Sequence, residues 1–176
     1  MTALSQERHR HGMAPLIRFT LLTLYAALVV PLPLLAPDGL RVWLWAACLL
    51  GLIGVVALTS EGVVLDAEGL AVTHPAWCAW LLRRGWRLNW NEVAGLTPVA
   101  TSQGGRVFYV RVKGGDRAYL LPQRVERFED FLSRFSSLSG VSTGAVKRLT
   151  PPWTYQLLAV MSGTLLLAEG VVFVSR

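Results

Sequence analysis

Charge is scarce in this chain of 176 residues. Asp, Glu, Lys and Arg together make up 16% of it, against about 25% in ordinary soluble domains. Two stretches, 19–36 and 42–59, carry no charge at all. Cysteine and histidine are also scarce, with two and three copies. Cys48 lies inside the second uncharged stretch and Cys78 far outside it, which excludes a disulfide between them. Two distant cysteines with His9, His11 and His74 supply too few clustered ligands, so no metal and no cofactor are expected. The sequence has no Gly-rich phosphate loop ending in Lys-Ser/Thr, no nucleophile elbow and no zinc-ligand spacing. Gly104-Gly105 and Gly114-Gly115 read as turns, since neither opens a helix after a strand. Asp66 and Glu68, two apart on a predicted turn, read as solvated rather than as an acid–base pair. These absences argue against an enzyme.

What is present in excess is apolar sequence, 53% of the chain. The two uncharged stretches are separated only by Pro37-Asp38-Gly39-Leu40-Arg41. A bilayer core takes roughly 20 apolar residues to cross as a helix, and lipid gives the backbone no partners outside the helix. Residues 15–59 are therefore expected to form a transmembrane helical hairpin behind a polar tail, 1–14, in which His9 and His11 are solvated. Arg8, Arg10 and Arg18 resemble the start of a signal peptide. The stretch is too long for one, and Pro31, Pro33 and Pro37 stand where a small-x-small cleavage site would be. Trp43 and Trp45 suit the membrane interface, and Ala47, Gly51 and Gly54 are small enough to let the two helices approach.

After Glu61 the texture changes to short alternating segments divided by turn residues. Strands are expected at 63–65, 70–73, 77–82, 86–90, 93–100, 106–113 and 118–121. Phe108, Val110 and Val112 fall on one face. The period then switches: Val125, Phe128, Phe131, Leu132, Phe135 and Leu138 follow helical spacing, with a stop near Gly140. The fold class is thus an α+β membrane protein whose residues 60–140 form a pleckstrin-homology-like (PH-like) seven-stranded β-barrel capped by an amphipathic helix. A linker, 141–152, follows. Residues 153–176 read as a third transmembrane helix, the alternative being a helix lying against the bilayer. Glu169, its one carboxylate, falls near the far interface.

The net charge of +6 admits two partners, nucleic acid or anionic lipid. No Lys/Arg-rich run interleaved with aromatics of the kind that a nucleic-acid reader shows appears, so lipid is favoured and nucleic acid is not expected. Three arginines precede the first helix and only Arg41 lies in the loop. Lys147 and Arg148 precede the third helix, and Arg176 follows it. The positive-inside rule then places the N-terminus and the PH-like domain on the cytoplasmic side of an integral membrane protein.

One cluster points outward. Arg83-Arg84-Gly85-Trp86-Arg87 is basic and aromatic, with Trp77 and Trp80 beside it. Trp77, Trp80, Arg83, Arg84, Trp86 and Arg87 are the candidate contact surface for a partner or for lipid, since each Arg near an anionic surface adds about 1 kcal/mol and aromatic excess marks interfaces. The stretch Leu65-Asp66, Gly69-Leu70, Pro75-Ala76-Trp77, Gly85-Trp86-Arg87-Leu88-Asn89-Trp90 and Glu92-Val93 resembles an uncharacterised cyanobacterial membrane protein family. So do Gln103-Gly104-Gly105, Ala118-Tyr119-Leu120-Leu121-Pro122, Arg124-Val125 and Pro152-Trp153. The resemblance spans roughly 60–170 and implies a thylakoid or plasma membrane location; it brings no activity and no site residues. The layout is also similar to a photosystem I assembly factor, in architecture only. The expected function is a membrane-anchored, non-enzymatic adaptor or assembly factor for a photosynthetic membrane protein complex. The alternatives are an anionic-lipid sensor working through the Arg83–Arg87 hairpin and an accessory subunit of a transporter or channel working through Glu169.

Overall fold

The computed structural model describes residues 8–80, 82, 85–102 and 104–175. The chain divides into two compact units. One comprises Ser60–Thr150 with the N-terminal segment through Ala14; the other comprises Pro15–Thr59 and the segment from Pro151 onward.

The first unit holds two antiparallel sheets. Strands β1 (His9–Gly12), β2 (Gly62–Leu65), β3 (Gly69–Thr73) and β4 (Trp86–Asn89) lie side by side in that order. Strands β5 (Val93–Ala100), β6 (Arg106–Val112) and β7 (Ala118–Leu120) form the second sheet. Seven strands lie among the described residues, as many as expected, but the set differs. His9–Gly12 replaces 77–82, and among the described residues no ladder joins the two sheets into a closed barrel.

Alternation decides which side is buried. Val63 and Leu65 of β2, Leu70 and Val72 of β3, and Leu88 of β4 point inward with Phe108, Val110 and Val112 of β6. Onto them packs the amphipathic helix, which the chain's fourth helical segment, Phe128–Ser139, provides. Phe128, Phe131 and Phe135 are fully buried and Leu132 nearly so, while Leu138 is exposed. The helix stops at Gly140 in the left-handed conformation (φ 71°), where glycine pays no Cβ penalty. Residues 141–150, expected as a linker, are packed on this unit. Val146 enters the core, the Gln123 side-chain amide donates to the Lys147 carbonyl at 2.7 Å, and the Arg148 guanidinium lies 5.5 Å from the Phe128 ring centre.

The second unit is helical: α1 (Pro15–Val29), α2 (Pro31–Leu35), α3 (Asp38–Leu58) and α5 (Pro152–Val174), with α4 being Phe128–Ser139 of the first unit. Three spans, Pro15–Leu35, Asp38–Leu58 and Pro152–Val174, are long and apolar enough to cross a membrane. Helix α1 packs against both others. The buried Thr20 hydroxyl lies 2.8 Å from the Leu16 carbonyl oxygen and 3.1 Å from that of Tyr155, and Thr23 Oγ1 meets Ser162 Oγ at 3.0 Å. These contacts advance along α1 and α5 in the same direction, so the two helices are parallel. On the α3 side the Tyr25 hydroxyl donates to the Cys48 carbonyl at 2.6 Å. A Cβ at Gly51 would run into Tyr25, so Gly51 serves the close approach expected of it. Gly54 meets nothing and Ala47 is exposed.

Candidate functional site

Residues 65–69 and 87–92 of the family-like stretch build a clamp. Asp66 is only 5% exposed. Its Oδ1 accepts from the Glu68 and Gly69 amides at 3.0 and 2.9 Å, closing the β2–β3 turn. Arg87 reaches across from β4, its Nη2 lying 3.0 Å from Asp66 Oδ2 and 2.8 Å from Glu68 Oε2. The Trp90 indole donates to the Asp66 carbonyl at 2.8 Å, and Asn89 and Glu92 form a reciprocal capping box around Trp90–Glu92. A Cβ at Gly69 would collide with the Leu88 carbonyl, so only glycine lets β3 approach β4 here. Burial pushes the Asp66 carboxyl up, but the Gly69 and Glu68 amides and the Arg87 guanidinium outweigh it and hold it below the usual carboxylate range. Asp66 is thus a buried structural carboxylate, not the solvated turn residue expected from the sequence.

The six candidate contact residues separate into groups. Residues 76–80 form a turn, not a strand. The Cys78 and Ala79 amides both donate to the Pro75 carbonyl, at 3.1 and 3.0 Å, and the Leu82 amide donates to the Cys78 carbonyl at 3.1 Å. Cys78 is buried beneath this turn, whereas Trp77 is 49% and Trp80 81% exposed. The Trp80 indole donates to the Trp77 carbonyl at 2.8 Å, fixing the two as a pair. Trp86 is elsewhere: it stacks on Tyr119 of β7 (4.8 Å between centres, 19° between planes) and packs against the core. Arg87 is held by Asp66 and Glu68. Arg83 and Arg84 lie outside the described residues.

His9 and His11 do not sit in a loose tail. His11 is buried on β1, edge-on to Phe131. Its Nε2 lies 3.9 Å from Asp130 Oδ2, and its Nδ1 lies 3.4 Å from the Glu126 carbonyl oxygen. His9 Nε2 is 2.8 Å from Arg134 Nη1. Arg134 also bonds both Asp130 oxygens at 3.0 Å, which lowers that carboxyl further than its slight desolvation raises it. Among the described residues no group of three or more His, Cys, Asp and Glu is placed to hold a metal ion.

One surface was passed over in the sequence. Because Phe108, Val110 and Val112 face inward, Val107 and Tyr109 face out. Their ladder partners share that side: Val99 opposite Val107, and Thr97 and Leu120 opposite Tyr109. Val99 is 44% and Leu120 49% exposed. The signal was the alternation already used to find the core, read for its other face.

Over 155 residues the chain is 42% identical to slr0269, an uncharacterized protein of Synechocystis sp.; the match takes in 85% of this chain and 78% of that protein. No protein-family model and no solved structure matches.

Proposed function

We propose that this chain, which belongs to the same cyanobacterial family as the Synechocystis protein slr0269, is a membrane-anchored, non-enzymatic adaptor that docks an integral membrane protein complex. The three apolar helices are its anchor. The β1–β2 ladder supports this layout, because it brackets the hairpin. His9–Gly12 pairs with Gly62–Leu65, so both ends of 13–61 meet at one sheet and the hairpin crosses an even number of times. Helix α5 starts just after the first unit and runs parallel to α1, which favours a third crossing over a helix lying on the surface. The positive-inside rule then puts the folded unit on the cytoplasmic side and the C-terminus opposite. The relative's cyanobacterial source favours a thylakoid or plasma membrane and a photosynthetic complex as partner.

For the folded unit the reading is a PH-like arrangement. A four-stranded meander, a three-stranded meander and a C-terminal helix share one core, and the Trp86–Tyr119 stack bridges β4 and β7, which no ladder joins among the described residues.

The single observation that carries the docking reading is the outer face of β5–β7, where Val99, Val107, Tyr109 and Leu120 adjoin. Val99 and Leu120 are exposed there, with the half-buried Val107 and Tyr109 between them, and an apolar patch of this kind marks an interaction site. Arg87, neutralised by two carboxylates, weakens the lipid-sensor alternative. Glu169 lies about 26 Å along α5 from Pro152, at headgroup depth rather than mid-membrane, which weakens the accessory-subunit alternative. The test is native electrophoresis of mild-detergent extracts of native membranes carrying either the unsubstituted chain or Val99→Glu with Leu120→Glu. The unsubstituted chain is expected to migrate with a complex far larger than its own 19.3 kDa, and the double variant at the size of the free chain. A double variant that stays in the complex, or an unsubstituted chain that migrates alone, contradicts the proposal.

A further inference from the structure

We infer that the turn carrying Trp77 and Trp80 rests in the headgroup layer of the bilayer that the chain's own helices cross. This contact goes beyond the docking of a protein complex, and it rests on the membrane-spanning reading. Sheet β1–β4 is an unbroken antiparallel meander, so its connections fall alternately at two ends. Gly12 pairs with Gly62, and Gly62 with Thr73; Val72 pairs with Trp86. At that end β1 leaves for α1, β2 returns from α3, and β3 runs out into the aromatic turn. The other end holds the clamped turn at Asp66–Gly69, where Leu65 pairs with Leu70.

The tethers at the first end are short. Met13 and Ala14 alone separate Gly12 from Pro15, and Thr59, Ser60 and Glu61 alone separate Leu58 from Gly62. Three extended residues reach about 10 Å. The end of the sheet that presents Trp77 and Trp80 is therefore the end bound to both termini of the hairpin.

The side chains suit that place. Tryptophan has an apolar body and a polar N–H, and it collects at membrane–water interfaces. Trp80 is 81% exposed, a poor condition for an indole in water. The pair is also fixed in advance by the Trp80 indole bond to the Trp77 carbonyl and by the buried Cys78 beneath, so little freedom is lost on contact.

The test uses the full chain in phosphatidylcholine–phosphatidylglycerol vesicles with no other protein present. A nitroxide is attached at Trp80→Cys, at Ala67→Cys on the opposite end of the sheet, or at Leu50→Cys on the exposed face of α3. The unsubstituted chain, whose Cys48 and Cys78 are buried, gives the background. The label at 80 is expected to relax several-fold more with oxygen than with a water-soluble nickel chelate, and to broaden with nickel-chelating headgroups; the label at 67 does neither. A label at 80 as open to the aqueous chelate as that at 67, with the label at 50 in lipid, overturns this inference alone and leaves a protein pocket as the cover for the two rings. Aqueous exposure at 50 as well overturns the membrane-spanning reading and this inference with it.

Discussion

Replacing Phe131 by alanine is expected to remove about 3–5 kcal/mol from the folded unit. Phe131 has no solvent exposure. Its ring centre is 6.4 Å from those of Phe128 and Phe135 and 5.7 Å from His11, so one residue joins the α4 stripe to β1. Truncation leaves a cavity among groups fixed by two sheets and a helix, which cannot collapse to fill it. A domain this size has a total stability on the order of 5–15 kcal/mol, so the variant loses a large share of it. Leu138→Ala on the same helix, at an exposed position, is expected to change stability by less than about 0.5 kcal/mol. Denaturant titration of the full chain in detergent, followed by tryptophan emission, checks both. Equal small effects at 131 and 138 would mean that α4 does not close the core.

The second large effect is expected at Asp66. Asp66→Ala strips the acceptor from two backbone amides and the partner from Arg87, at a cost on the order of 3 kcal/mol. Asp66→Asn keeps an acceptor for the amides and loses only the charge, so it costs less. Arg87→Ala is milder than Asp66→Ala, because Arg87 is about half exposed and its removal leaves the amide bonds in place. The two alanine variants combined fall short of the sum of their separate effects, as residues sharing one interaction must. Acid gives an independent check. The Asp66 carboxyl is held below its ordinary value in the folded state, as is Asp130. Their stabilisation is therefore complete above the unfolded carboxylate value of about 3.9 and is lost as pH falls through the lower folded values. The denaturation midpoint should drop below about pH 4, and Asp66→Asn should flatten that drop. An unchanged acid limb in the variant would remove Asp66 from the account.

These two sites show how much of the fold could be read from residue order. The Phe128–Phe135 stripe declares itself through helical spacing, and the apolar stretches of α1, α3 and α5 through length. Strands β2 to β7 were legible by alternation and by the turn residues between them. Strand β1 was not. His-Arg-His-Gly has no apolar alternation, and its partner lies beyond the whole hairpin, so its pairing depends on a contact that no local window contains. The 76–80 turn is hidden in the sequence because its tryptophans favour strands. Asp66 looked like a solvated turn residue because what buries it arrives from β4, in Arg87 and Trp90. The exposed pair Trp77 and Trp80 stands out in the sequence as surplus aromatics. The inward turn of Trp86 and the pairing of Arg87 follow from strand register, which composition does not reveal.

A chain that crosses the bilayer an odd number of times holds its folded unit at one face and its C-terminus at the other. Cysteine accessibility in sealed, oriented membrane vesicles measures this directly, using Ala67→Cys in the folded unit and a cysteine appended after Arg176. An impermeant maleimide is expected to label Ala67→Cys only from the cytoplasmic face and the C-terminal thiol only from the other. Labelling of both thiols from one face, or release of the chain from the vesicles by alkaline carbonate, would contradict this arrangement.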